Sequence, residues 1–443
     1  MPGGLRADLY ELNMAASYLR HGMHGDATFS LYVRDMPKER GFLVAAGLDD
    51  CLRFLESFSF DNDELVALSQ RGFDRQAIHD FADLRFEGDV WAVAEGRIVH
   101  AKEPILEVTA PIAQAQVVET ALLNQVTLHT TLASKAARYV IAAEGRGLVD
   151  FAFRRAHGIE AARAAARGSA IVGFQATSNV EAAQELDLRV TGTMAHSFVM
   201  AFDDERESFR VFAQDHPHRT TFLVDTYDTL RGVENAVEVI LEQNPPGEAG
   251  IRLDSGDLDR LSREARRILD AAGLAHAKIF ASGGLDEHEV AELVRAGAPV
   301  DAFGIGTQLG VSADAPYVDT VYKLVEFDGR PVLKLSPAKA TAPGRKQVWR
   351  GPSEDVIGLR DEAAPGPNHE ALLEPVIRAG RRLAPAPSIE EMRVRFRRDL
   401  AALPVKAARL VHPEHVIAHR SEALAALTTE AAEAARRRLR ASD

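Results

Sequence analysis

The sequence predicts an α/β protein: an irregular β/α barrel, an N-terminal α+β domain before it and a C-terminal, mostly helical segment after it. Three observations carry this reading. Between residues 147 and 305, short apolar runs alternate with amphipathic stretches, the pattern of parallel strands and the helices that cover them. Residues 28–108 mix period-two alternation with helical periodicity, as a small α+β unit does. At 443 residues, 46% hydrophobic and 26% charged, the chain has room for two or three full cores and is not a disordered sequence.

In chain order, residues 28–33, 84–91 and 105–108 read as strands and 48–58 as a helix. Residues 113–143 are Ala/Leu-rich and free of Gly and Pro, which predicts a helix or helix pair leading into a new domain. Strand-like runs follow at 147–153, 170–174, 220–224, 249–253, 277–281 and 300–305, with helical patterns at 258–272 and 286–296. Six or seven such units favour a barrel over a doubly wound sheet. Asp328-Gly329 between residues 322–327 and 331–335 signals a hairpin. Residues 341–368, rich in Gly and Pro, read as irregular, and 388–403 and 421–439 as helices. The domain boundaries fall at 1–112, 113–340 and 341–443.

The 52 basic and 65 acidic residues give a net charge of −13, so the surface as a whole repels nucleic acid and anionic membranes, and an anionic ligand needs a local cationic pocket. The single cysteine, Cys51, excludes an internal disulfide and a Cys-rich metal site. With no export signal at the start and no apolar run of spanning length, a cytoplasmic location is expected.

Polar residues gather where the predicted barrel strands end: Arg154 and Arg155, Thr177 to Asn179, Thr193 and His196, Asp225, then Arg252, Asp254 and Asp257. Ser282-Gly283-Gly284 and Gly304-Ile305-Gly306-Thr307 close the series. In a β/α barrel these ends share one face, where active sites form. The two glycine loops follow late strands; they are either tight turns or phosphate cradles, and their pairing favours phosphate. Arg154 and Arg155 either add bidentate phosphate contacts or form a solvated face. His196 is a candidate general base, metal ligand or phosphoryl-accepting nucleophile, with Asp225 as its orienting carboxylate or a simple helix cap.

Taken in order, Asp8-Leu9-Tyr10-Glu11-Leu12, Asp150-Phe151-Ala152-Phe153-Arg154-Arg155-Ala156, Thr177-Ser178-Asn179-Val180, Gly192-Thr193-Met194-Ala195-His196-Ser197-Phe198, Gly250-Ile251-Arg252-Leu253-Asp254-Ser255-Gly256-Asp257 and Phe303-Gly304-Ile305-Gly306-Thr307 closely resemble nicotinate phosphoribosyltransferases. The resemblance implies a type II phosphoribosyltransferase working as a homodimer, the first helix of one protomer packing on its partner's barrel. It implies transfer of phosphoribosyl from phosphoribosyl diphosphate to nicotinate, giving nicotinate mononucleotide and diphosphate in NAD salvage, coupled to ATP. It assigns His196 as the residue phosphorylated by ATP, with Asp225 beside it. Tyr10, Thr193 and Arg252 would hold nicotinate, and Ser178, where nicotinamide-using relatives carry Asp, favours the acid. Arg154, Arg155, Asp254, Ser282, Gly283, Gly284, Gly304, Gly306 and Thr307 would hold the phosphoribosyl diphosphate, with Asp254 or Asp257 contacting its Mg²⁺. The cysteine zinc knuckle of some relatives is not carried over.

The competing readings are a nicotinamide or quinolinate phosphoribosyltransferase and a non-catalytic phosphate or nucleotide sensor on the same barrel. Lys323, Lys334, Lys339 and Lys346 cluster in a Lys-poor chain and read either as a cationic rim that captures phosphorylated substrates or as a solvated hairpin face.

Overall fold

The computed structural model describes residues 3–336, 341–352 and 354–441. The chain divides into two compact units, one formed by Met1–Thr131 with Tyr317–Asp443 and the other by Leu132–Pro316.

In the first unit, the strand Asp26–Val33 is buried along nearly its whole length because it is paired antiparallel on both sides, with Pro104–Pro111 and with Thr320–Phe327. Asp89–Val93 and Leu373–Arg378 continue this sheet, and the short pieces Arg330–Pro331 and Arg381–Arg382 end it. Phe29 stacks on Tyr322 at 4.7 Å across the central pair, and the rings of Phe54, Phe58, Phe60 and Phe81 continue the core beneath the helices. Those helices start where the sequence supplies caps: Asp61 and Glu64 form a reciprocal capping box for Asn62–Gln70, and Asp74 caps Arg75–Ala82. Cys51 is fully buried, and burial pushes its thiol pKa well up.

Residues 341–368, expected to be irregular, hold an antiparallel pair, Lys346–Arg350 with Asp355–Leu359. Among its apolar residues, Val348-Trp349 and Val356-Ile357 sit side by side and break period-two alternation, and Gly and Pro flank them, so the sequence shows no strand pattern there. The hairpin Thr320–Phe327 with Arg330–Pro331 pairs with Asp26–Val33.

The lysine cluster is corrected in the same region. Lys346 is buried, 3.0 Å from the buried Glu107, and its ammonium donates to the Gly344 carbonyl. It is a structural ion pair and cannot form part of a capture rim. Lys334 is exposed, Lys323 is half-buried, and Lys339 lies outside the described residues.

The second unit is a six-stranded, wholly parallel sheet in the order Ala176–Thr177, Gly147–Asp150, Ala302–Ile305, Lys278–Ala281, Glu248–Leu253 and Arg219–Leu223. It curls into a half-barrel, and among the described strands its two outer members do not pair with each other. One expected strand is absent: residues 170–174 finish the helix Ile159–Val172, which stops at Gly173 in the left-handed region, and the strand is Ala176–Thr177. The helix is buried on almost every side, so its apolar run reads like a buried strand.

Four of the covering helices begin at a side-chain cap just past a strand end. Asn179 caps Val180–Leu186, Asp228 caps Thr229–Gln243, Asp257 caps Leu258–Ala271 and Asp286 caps Glu287–Arg295. The chain between strand end and cap is therefore short and fixed at both ends. Glu287 is buried with Arg138 at 2.7 Å; burial alone would raise its pKa, but Lys135 and Arg138 outweigh that and hold it low.

Lys346→Met leaves the buried Glu107 with Arg360 as its remaining cation, so unfolding in urea should show a loss of about 3 kcal/mol. The exposed Lys334→Ala should stay within about 0.5 kcal/mol of wild type in the same measurement.

Candidate active site

At the carboxyl ends of the parallel strands lies a cavity of about 530 Å³ with Phe151, Arg154, Ser178, Thr193, His196, Arg252 and Asp254 in its lining. All of these belong to the second unit. The strand Glu248–Leu253 alternates, sending the fully buried Ile251 and Leu253 to one face and Arg252 to the other.

Arg252 is the best-anchored group in the cavity. Its Nε donates to Ser282 Oγ at 2.7 Å, one terminal nitrogen to Thr193 Oγ1 at 3.2 Å and the other to Asp254 Oδ1 at 2.6 Å. The guanidinium also lies over the Phe151 ring, 5.4 Å from its centre. A guanidinium carries five N–H bonds, so these three contacts leave one on each terminal nitrogen. Two parallel donors on a planar fork match a carboxylate.

His196 opens the short helix His196–Met200. Its Nδ1 is 3.1 Å from Thr226 Oγ1, and its Nε2 is 3.9 Å from both Asp225 Oδ1 and Asp254 Oδ2. Asp225 is held in place by the Asp254 backbone N–H at 3.0 Å and the Ser255 hydroxyl at 2.6 Å, both donating to Oδ2. Its buried Oδ1 has no hydrogen-bond partner among the described residues and faces the histidine. Asp225 is not a helix cap; Asp228 fills that role. Asp254 bridges the two halves of the site, with one oxygen on Arg252 and the other towards His196.

The glycine loops meet different constraints. Gly283 has φ +109°, and a Cβ there would lie 1.9 Å from the Asp254 carbonyl oxygen. Gly284, at φ +86°, would place its Cβ in open space. At Gly304 a Cβ would strike the rings of Phe151 and Phe280, so that glycine lets the aromatic floor of the cavity pack. Gly306 precedes Thr307–Gly310, a helix of one turn with Thr307 exposed at its start.

Of the other expected site residues, Arg155 is exposed on the turn Phe153–Arg155 and is not in the cavity lining. Asp257 is committed to its helix cap, accepting from the Arg260 N–H at 3.1 Å. Tyr10 belongs to the first unit, on the helix Leu9–Arg20, where burial and then the Glu119 and Glu11 carboxylates raise its phenol pKa. Glu11 itself is pushed up to about 7, chiefly by burial. Sequence reasoning missed Phe151, Thr226 and Ser255 as positioning groups. Phe151 was open to inference, since an aromatic following Asp150 at a strand end falls on the same rim.

Comparison with known proteins agrees along the length of the chain. Residues 5–127 match the nicotinate phosphoribosyltransferase (NAPRTase) N-terminal domain, 147–348 the nicotinate phosphoribosyltransferase (NAPRTase) family and 365–428 the nicotinate phosphoribosyltransferase C-terminal domain. A nicotinate phosphoribosyltransferase of Mycobacterium tuberculosis (strain ATCC 25618 / H37Rv) is 46% identical over 410 residues, 91% of this chain and 88% of that one. The chain belongs to the nicotinate phosphoribosyltransferase family. The nicotinate phosphoribosyltransferase of Bacillus subtilis (strain 168) is 42% identical over 84% of this chain and 79% of its own. The crystal structure of human nicotinic acid phosphoribosyltransferase superposes with a TM-score of 0.86 at 28% identity, covering 96% of this chain and 99% of the human one. In this family member the half-barrel sheet, not a fully closed barrel, carries the cavity.

Gly283→Ala must displace Asp254 and so disturb both Arg252 and His196; it should lower kcat/KM more than about tenfold and stability by about 2 kcal/mol. Gly284→Ala meets backbone strain alone and should cost about 1 kcal/mol with a smaller kinetic effect. Urea unfolding and steady-state rates of the two variants side by side check this.

Proposed function

We propose that this chain transfers phosphoribosyl from phosphoribosyl diphosphate to nicotinate, releasing diphosphate and nicotinate mononucleotide in NAD salvage. The observation that carries the substrate choice is Arg252: anchored on three sides, it keeps one N–H free on each terminal nitrogen beside an aromatic floor. A flat ring carrying one carboxylate fits that arrangement. Ser178 in the lining is neutral and does not repel the acid. Quinolinate would need a second cationic carboxylate site of equal quality, and uncharged nicotinamide would forgo the charge-assisted pair.

The pyridine nitrogen attacks the anomeric carbon with its own lone pair, and the C–O bond to diphosphate breaks. No general base is required. The task of the protein is to position the ring and to stabilise positive charge developing on the ribose and negative charge on the leaving group. Arg154 and the backbone N–H groups around Gly283, Gly284, Gly304, Gly306 and Thr307 would hold the phosphates. Mg²⁺ on the diphosphate would neutralise part of its charge, and the Asp254 oxygen turned towards His196 is the better placed of the two candidate contacts, since Asp257 caps a helix.

ATP coupling completes the proposal. The γ-phosphoryl passes to a ring nitrogen of His196 as ADP leaves, and water later takes it off as phosphate. Nε2 faces two carboxylates, which would repel an incoming phosphoryl group, whereas Nδ1 has a neutral hydroxyl partner. Nδ1 is therefore the attacking nitrogen, and Asp225 and Asp254 stabilise the cationic ring from the other side. A homodimer in the cytoplasm is the working form we expect. The buried thiol of Cys51 is compatible with that location, and among the described residues no helix is long and apolar enough to cross a membrane.

Arg252→Ala should raise the nicotinate KM roughly 30-fold or more, equivalent to about 2 to 4 kcal/mol, and narrow the preference over nicotinamide. An unchanged ratio of kcat/KM for the two bases would place carboxylate recognition elsewhere. His196→Ala should abolish acid-labile, base-stable labelling from γ-labelled ATP and remove ATP stimulation, while slow ATP-independent transfer survives. Equal labelling of variant and wild type excludes His196 as the acceptor.

A further inference from the structure

Away from the active site, the first unit buries a second cluster of titratable groups. His100 follows the short strand Ile98–Val99, Glu103 precedes Pro104–Pro111, and Asp355 opens Asp355–Leu359. Their exposures are 3%, 0% and 4%, and one ligand atom from each lies within 4.8 Å of the other two.

The hydrogen bonds leave specific atoms unmet. Glu103 Oε2 accepts from the His100 backbone N–H at 2.8 Å. Among the described residues, His100 Nδ1 and Glu103 Oε1 are buried and make no hydrogen bond that meets ordinary geometry. The Glu103 and Asp355 carboxyl groups also lie within hydrogen-bonding reach of each other, an arrangement that two bare carboxylates cannot hold.

The surrounding charges do not resolve this. Arg350 is engaged by both Asp355 oxygens and by Asp399, and Arg97 by Asp399 and Glu370. Arg398 also reaches Glu370 at 3.3 Å and Asp399 at 3.5 Å, so three guanidinium groups face four carboxyl groups, and among the described residues Glu103 makes no ion pair. One proton between Glu103 and Asp355 would relieve their repulsion but leave the His100 lone pair unmet. A divalent cation satisfies all three acceptors together.

We propose that His100 Nδ1, Glu103 Oε1 and an Asp355 oxygen bind a divalent cation of the zinc class. One imidazole nitrogen and two carboxylate oxygens form a donor set that such ions accept. The burial of the ligands makes the site structural. The ion clips the turn at residues 100–103 to a strand from the far end of the chain, and its binding energy adds to the stability of the folded unit.

The full-length protein, purified without chelator or metal-affinity resin, is assayed by inductively coupled plasma mass spectrometry. About one equivalent of a zinc-class metal per chain is expected. Chelator should lower Tm by about 4 °C or more, and added Zn²⁺ should restore it. Glu103→Gln and His100→Gln should carry no metal and show a Tm that neither chelator nor Zn²⁺ moves. Wild-type protein with no bound metal and no Tm response to Zn²⁺ overturns the proposal in favour of a shared proton; so does a variant that retains the full metal content. If both variants fail to fold, the wild-type metal content and Zn²⁺ response decide the matter alone.

Discussion

The register of the parallel sheet governs this molecule's chemistry. Leu223 lies opposite Arg252, Arg252 opposite Phe280 and Phe280 opposite Ala302, while Ile305 lies opposite Asp150 and Asp150 opposite Thr177. Because of these pairings, the residues just past each strand emerge at one level, and Asp225, Asp254 and Ser282 become neighbours without any loop having to reach. A slip of one residue would turn Arg252 towards the helices and bring Ile251 or Leu253 into the cavity. The caps at Asn179, Asp228, Asp257 and Asp286 then start each helix close behind its strand, so the loops have little freedom to move the site out of line.

The site that results is organised before any ligand arrives. Asp254 touches the cationic fork through one oxygen and faces the histidine with the other, so the groups proposed to read the base and to carry the phosphoryl share a single support. Asp225 is aligned by a backbone N–H and a serine hydroxyl and keeps an unbonded oxygen towards the histidine. Fixed charges and dipoles of this kind need little rearrangement when charge develops on a substrate, which is why they are effective inside a cavity.

Much of this was legible in the sequence because strand ends announce themselves: an apolar run stops, and small, charged or hydroxyl residues follow. Arg252, Asp254, Asp225, Ser282 and His196 were found in this way, and all five meet around one cavity or its immediate supports. What escaped has physical reasons. The run at 170–174 closes a helix buried on nearly all sides, and a fully buried helix loses the polar stripe that betrays its period. Lys346 looked like part of a surface cluster because its partner, Glu107, is remote in sequence and only sheet pairing brings the two together. The same holds for His100, Glu103 and Asp355, which no local pattern could join.

The interleaving of the first unit has a consequence for synthesis. When the segment up to Thr131 leaves the ribosome, the sheet has Asp26–Val33, Pro104–Pro111 and Asp89–Val93, and both outer strands of that trio await partners, Thr320–Phe327 on one side and Leu373–Arg378 on the other. At about 5 to 20 residues per second, those partners arrive roughly ten seconds to a minute later. The half-barrel, encoded in one continuous stretch, can mature in that interval, while the nascent N-terminal sheet exposes two open edges to any other chain nearby. Translation speed across the barrel segment thus sets how long the newborn N-terminal sheet stays open to mispairing.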